Sequence, residues 1–144
     1  MSESGLSEPP AFEFGPITQT DLVRYAGASG DFNPLHHDAD FARGAGLPGV
    51  MAHGMFSAGI LGSFLTSWVG DRHVRRFKVR FRSPVWPGDT LHASGSVRRI
   101  FAAGSATVAE LALGLRREYG DEVITAMAEV ECGGAAPRPE KAAR

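Results

Sequence analysis

The chain has a single cysteine, Cys132, among its 144 residues. One thiol can close no internal disulfide and supply no cysteine-based zinc centre, so a disulfide-stapled secreted miniprotein is excluded and a reducing cytoplasm is expected. An excess of positive charge is also missing. With 15 Lys and Arg against 16 Asp and Glu, nothing drives generic binding to phosphate backbones, and nucleic acid is not an expected partner. The opening MSESGLSEPP carries Glu3 and Glu8 instead of a basic start and an apolar run, so residues 1–10 are expected to be a disordered leader and not an export signal. No long uninterrupted apolar run is present either. The most apolar stretch, Val50 to Val69, holds His53, Ser57, Ser63, Thr66 and Ser67, which reads as a buried helix and not as a membrane span.

Several catalytic signatures are absent. There is no P-loop, no H-E-x-x-H and no G-x-S-x-G; the nearest approach to the last, Gly54-Met55-Phe56-Ser57-Ala58-Gly59, has the wrong spacing. A literal G-x-G-x-x-G at Gly44, Gly46 and Gly49 follows the polar run His36-His37-Asp38-Ala39-Asp40-Phe41-Ala42-Arg43. A dinucleotide fingerprint needs a buried strand before it, so this match carries no meaning. His36, His37, Asp38 and Asp40 are ligand types for divalent ions, but adjacent side chains diverge and no third spaced ligand accompanies them. Neither a metal nor a cofactor is expected.

What the sequence does have is enough length for one core: a chain of this size buries roughly 70% of its unfolded surface without staples. Phe12 and Phe14 before Gly15-Pro16 read as a short strand, and Thr18 with Asp21 fits a capping box. The helix that follows places Leu22, Tyr25 and Ala26 on one face and should end near Gly27 to Gly30. Pro34 forces the segment from Asp31 to His36 out of helical geometry. Asp38 to Ala45 suits one or two helical turns, and the apolar helix from about Val50 to Val69 comes next. Then the period changes. Phe77, Val79 and Phe81 alternate with Lys78, Arg80 and Arg82, a strand with one face buried and one wet. Thr90 to Ile100, Thr107 to Arg117 and Glu122 to Glu131 read as three more strands, with Tyr119-Gly120-Asp121 closing a hairpin. The last residues, 133–144, are compositionally a disordered tail. Short helices, one long helix and then a run of strands is an α+β order. A helix apolar nearly all round must be enclosed, and an antiparallel sheet curled around it is the available partner.

The chemistry-bearing cluster is Ser29-Gly30-Asp31-Phe32-Asn33-Pro34-Leu35-His36, followed by Ala52-His53-Gly54-Met55. Asp31 and His36 at opposite ends of a turn stiffened by Pro34 can hold a carboxylate and an imidazole over one small volume, a pair suited to moving protons to and from water. Asp31 and Asn33 can equally be turn residues that bond backbone amides. Both readings stand on spacing alone. Gly54 lies near the start of the long helix, where free N–H groups favour negative charge; a glycine there admits a carbonyl oxygen, or serves close packing. Ala58, Gly59 and Gly62 along this helix permit close approach of strands or of a ligand.

The chain resembles the MaoC-like, (R)-specific enoyl-thioester hydratases and dehydratases of the hotdog fold. The family pattern is met by Tyr25, Ser29, Gly30, Asp31, Asn33, Pro34, Leu35, His36 and Ala42, and again by Ala52, His53, Gly54 and Met55. The resemblance covers about residues 12 to 132, in line with a single domain over 11–132. The run Ser67-Trp68-Val69-Gly70-Asp71 further resembles the catalytic dehydratase subunits of actinobacterial fatty-acid and mycolate synthesis, which work with a sister hotdog chain lacking the catalytic pair. Gly49-Val50-Met51 departs from the proline and isoleucine that relatives often carry, a difference that bears on acyl-pocket shape. The resemblance implies that Asp31 and His36 bind and activate water, that Asn33 braces the loop, and that the Gly54 amide meets the thioester carbonyl. It implies Ser63 as a further polar contact and a structural role for His53. For the acyl substrate so implied, Ala58, Gly59, Gly62 and Ser63 leave room beside the helix, with Phe64 and Trp68 as the pocket floor, or the small residues serve only to let strands approach. The implied reaction interconverts a trans-2-enoyl thioester and an (R)-3-hydroxyacyl thioester, carried on coenzyme A or acyl carrier protein. The implied assembly is a homodimer, or a heterodimer with a sister hotdog subunit. A hotdog thioesterase and a non-catalytic acyl-binding partner subunit are the alternatives.

Overall fold

The computed structural model describes residues 5–70 and 72–132. The expected tail at 133–144 and the first four residues of the expected leader lie outside them. Strand β1 (Phe12–Phe14) leads into helix α1 (Gln19–Ser29), a 3₁₀ turn (Pro34–His36), helix α2 (Ala39–Gly44) and helix α3 (Gly54–Val69). Four strands follow: β2 (Val74–Phe81), β3 (Leu91–Ala103), β4 (Ala106–Arg117) and β5 (Glu122–Glu131). They form one antiparallel sheet in the order β1-β3-β4-β5-β2. The apolar side of α3, including Leu61, Phe64, Leu65 and Val69, joins Leu111, Leu115, Ile124 and Val130 of the sheet in one core. The α+β order therefore stands as expected, with α3 packed on the sheet; it is not enclosed all round, since Gly59, Ser63, Thr66 and Ser67 stay exposed. Among the described residues no helix is long and apolar enough to cross a membrane.

The capping box forms. Asp21 N donates to Thr18 Oγ1 at 3.1 Å, and Thr18 N donates to Asp21 Oδ2 at 2.8 Å. The Thr18 backbone N–H, then its hydroxyl, hold the Asp21 carboxyl below the ordinary carboxylate range. A depressed carboxylate contributes stability that is complete above its unfolded pKa and is lost as pH falls through the folded value. Thr18→Ala is thus expected to cost about 1 kcal/mol near neutral pH, a drop of roughly 2–4 °C in melting temperature for a chain of this size. Thermal scans across pH should find the penalty shrinking in acid. An equal penalty at every pH would detach it from the Asp21 carboxylate.

Helix α1 ends within the expected stretch from Gly27 to Gly30: it stops at Gly30, which takes the left-handed conformation at φ 75° and donates its N–H to Ala26 O, so the left-handed cap sets the stop. Three local readings differ from the structure. Helix α3 begins at Gly54 and not near Val50. Met51 N donates to Leu35 O and Ala52 N to Val85 O, so that segment spends its amides on the preceding turn and on the chain before β3. The face of β2 expected to be buried is partly open, with Phe77 37% and Phe81 51% exposed, because β2 is an edge strand paired only with β5. Residues 5–10, expected as leader, make no regular structure but are held: Leu6 joins the core, and Ser7 O accepts from the buried Trp68 Nε1 at 2.8 Å. An indole N–H removed from water needs such an acceptor.

Candidate active site

The loop after α1 is organised by short side-chain bonds to its own backbone. Ser29 Oγ accepts from Asp31 N, Asp31 Oδ1 from Asn33 N, and Asn33 Oδ1 from Leu35 N, each at 3.1–3.2 Å. Pro34 opens the 3₁₀ turn that carries His36. The turn reading of Asp31 and Asn33 is therefore realised, and the pairing of Asp31 with His36 is realised beside it. Asp31 spends Oδ1 on the turn and turns Oδ2 toward His36 Nε2, 3.9 Å away.

Hydrogen-bond chemistry fixes the roles of the imidazole nitrogens. His36 Nδ1 lies 2.7 Å from Met51 O. A carbonyl only accepts, so Nδ1 carries the proton and Nε2 of the neutral ring is a bare lone pair. Nε2 and Oδ2 are then two acceptors set too far apart to bond each other. A water molecule between them can donate one hydrogen to each. His53, only 1% exposed, is arranged in mirror fashion: its Nε2 donates to Asp31 O at 3.0 Å. Its ring stacks on His36 with centroids 3.7 Å apart and planes 26° from parallel.

Asp31, His36 and His53 offer ligand atoms within 4.8 Å of one another. The stacking works against a shared metal. A ligating ion lies about 2 Å from each nitrogen in the plane of its ring, and two nearly parallel rings 3.7 Å apart do not share that position.

Gly54 is the first residue of α3. The N–H groups of a first helical turn have no partner within the helix and sit at the positive end of its dipole. Beside it opens a cavity of about 320 Å³, lined by Met51, Gly54, Ser57, Phe81, Val85 and Val123 among others. A Cβ on Gly54 would come within 3.2 Å of the Phe81 ring. Met51 belongs to both halves of the site, since its carbonyl holds His36 while the residue lines the cavity.

The structure brings Asp31, Asn33 and His36 together and sets Gly54 at a helix start, as the sequence leads one to expect. It does not gather the expected acyl-pocket residues around one cavity. Ala58, Phe64 and Trp68 are in the core. Gly59 and Ser63 lie on the exposed face of α3, where Ser63 Oγ donates to Gly59 O at 3.1 Å, and Gly62 is half-buried near Phe77. A helix sends these positions to different sides, because residues share a face only at spacings of three or four. Ser57, buried and lining the cavity with Gly54, is not among the expected site residues, although its three-residue spacing from Gly54 is a usable signal. The Met51 carbonyl carries no sequence signal, since any residue supplies one.

A five-stranded antiparallel sheet packed on a long helix, with the Asp–His loop tied to the segment just before that helix, makes this a hotdog-fold protein. Its architecture matches the unliganded R-hydratase PhaJ1 of Pseudomonas aeruginosa, with a TM-score of 0.76, 24% identity, and 94% of this chain and 91% of that one covered. The ChsH1–ChsH2 complex of Mycobacterium tuberculosis matches with a TM-score of 0.73 at 22% identity, covering 89% and 97%. Residues 4–113 match the MaoC like domain, and the chain belongs to that family. The peroxisomal multifunctional enzyme type 2 of Mus musculus is 38% identical over 88 residues, 59% of this chain. The (R)-specific enoyl-CoA hydratase of Rhodospirillum rubrum is 34% identical over 84 residues, 56% of this chain. The matched stretch spans 12% of the mouse protein and 58% of the bacterial one.

Proposed function

We propose that this chain, as a single domain over residues 11–132 with residues 5–10 packed on it and acting in the cytoplasm, reversibly hydrates a trans-2-enoyl thioester to an (R)-3-hydroxyacyl thioester. The observation that carries the reading is the 3.9 Å gap between Asp31 Oδ2 and His36 Nε2, with His36 Nδ1 committed to Met51 O. A water held there is oriented by the carboxylate and loses a proton to the Nε2 lone pair as its oxygen adds to the β-carbon. The electron pair of the alkene moves toward the thioester carbonyl, whose developing negative oxygen meets the Gly54 N–H at the helix start. A proton delivered by the pair to the α-carbon completes the addition, and the reverse sequence eliminates water. Asn33 contributes by fixing the turn, and the cavity beside Gly54 takes the substrate arm that leads away from the carbonyl. The free, buried Cys132 is in keeping with a reducing compartment.

The open edge of β2, with exposed Phe77 and Phe81 and with Met55 exposed at the start of α3, supports assembly with a second hotdog subunit. That subunit is a copy of this chain or a sister chain, and an edge strand with apolar side chains is a surface made to be paired.

The test is a turnover assay with a panel of enoyl thioesters on coenzyme A and on acyl carrier protein, following loss of the conjugated alkene and release of free thiol separately. Alkene loss without thiol release is expected on at least one carrier, from the chain alone or mixed with a sister subunit. Thiol release alone would mark a thioesterase, and no turnover under any combination would mark a non-catalytic subunit. Sedimentation of the active form at micromolar concentration should show a dimer; a fully active monomer would remove the pairing of β2.

A further inference from the structure

We propose that His53 is a positioning residue that holds both members of the acid/base pair at once, an inference that rests on Asp31 and His36 being that pair. His53 occupies the N-cap of α3, where Ser, Thr, Asp or Asn would bond the first-turn amides. It makes no such bond. Its ring is turned back to the loop and buried there, with Tyr25 at 4.9 Å on one side and His36 stacked at 3.7 Å on another.

Two constraints meet on this one ring. The Nε2–H donates to Asp31 O at 3.0 Å, which pins the backbone from which the carboxylate projects. The stacked face limits rotation of the His36 ring, so that with Nδ1 tied to Met51 O the Nε2 lone pair keeps its aim at Asp31 Oδ2. The bonds also cross: His36 on the loop reaches the segment before α3, and His53 on that segment reaches the loop. His53 Nδ1 is left buried with no hydrogen-bond partner. A helix cap forgone and an orphaned ring nitrogen are local sacrifices of the kind found where a site, and not the fold, dictates the residue.

The experiment uses two variants of His53, one of Asp31 and one measurement on the unaltered protein. His53→Phe keeps a ring to stack and removes the donor, and His53→Gln keeps an N–H able to reach Asp31 O. With melting temperature and helicity checked for each, His53→Phe is expected to lower kcat by roughly tenfold to a hundredfold with KM within about twofold, because the defect lies in alignment and not in binding. His53→Gln should recover part of that loss. A His53→Phe enzyme with wild-type kcat, or a His53→Gln enzyme no better than it, overturns the proposal. Nitrogen-15 spectra of the wild-type protein provide a readout that needs no variant: His53 Nε2 should carry a proton, and a bare Nε2 would overturn the proposal outright. Asp31→Asn measured alongside separates the two levels. If Asp31→Asn is inactive while His53→Phe is fully active, only the role of His53 falls; if Asp31→Asn is active, the acid/base reading itself falls.

Discussion

An Asp31→Asn chain is expected to fold like the wild type and to turn over substrate roughly 10²- to 10⁴-fold more slowly, the usual worth of a positioned general acid or base. The substitution is nearly isosteric, and the amide oxygen can still accept from Asn33 N, so the turn survives. The change falls on the other atom. An amide NH₂ facing the His36 Nε2 lone pair is a donor where an acceptor stood, so it competes with water for the imidazole and can no longer orient it. His36→Ala should cost turnover on the same scale, but it also strips the partner from Met51 O, which costs about 1–3 kcal/mol where the carbonyl is buried. Asp31→Asn is therefore the cleaner probe. Near wild-type kcat in a folded Asp31→Asn protein would remove Asp31 from the chemistry.

The second large effect is expected from Gly54→Pro. Proline is tolerated at the first position of a helix, where its missing N–H has no helical partner. The residue before it must be extended, and His53 already is, at φ −60° and ψ 136°. The substitution thus removes the N–H while keeping the helix start. Turnover should fall roughly 10²- to 10³-fold, the scale seen when one oxyanion donor is lost. Gly54→Ala is the control. It keeps the N–H and adds a Cβ 3.2 Å from the half-exposed Phe81 ring, which can shift by the few tenths of an ångström required. If the proline and alanine variants are equally active by kcat, the Gly54 amide does not serve the carbonyl.

Where the sequence was legible, the governing interactions are local. Thr18 and Asp21, three residues apart, cap α1, Pro34 and the Asx turns shape the loop, and Leu111, Leu113 and Leu115 alternate into the core because β4 is flanked on both sides. What could not be read depends on neighbours distant in sequence. The start of α3 is displaced by bonds to Leu35 and Val85. The exposure of Phe77 and Phe81 follows from strand order, which alternation within one strand does not encode. The acyl-pocket set mixed both sides of α3 because small residues mark close approach without saying to what. The tautomers of His36 and His53, on which the chemistry turns, depend on two backbone carbonyls that every sequence possesses.

Trp68 illustrates the point from the side of sequence change. A Cβ on Gly95 of β3 would stand 2.5 Å from Trp68 Cζ3, so the indole occupies the space that any other residue at 95 would need. Positions 68 and 95 therefore behave as one variable and not as two. A larger residue at 95 becomes acceptable only after the indole has gone, and losing the indole first leaves a void that the glycine cannot fill. Between relatives, such a pair is expected to move together or stay put, and the order of the two steps sets how much stability the intermediate chain gives up.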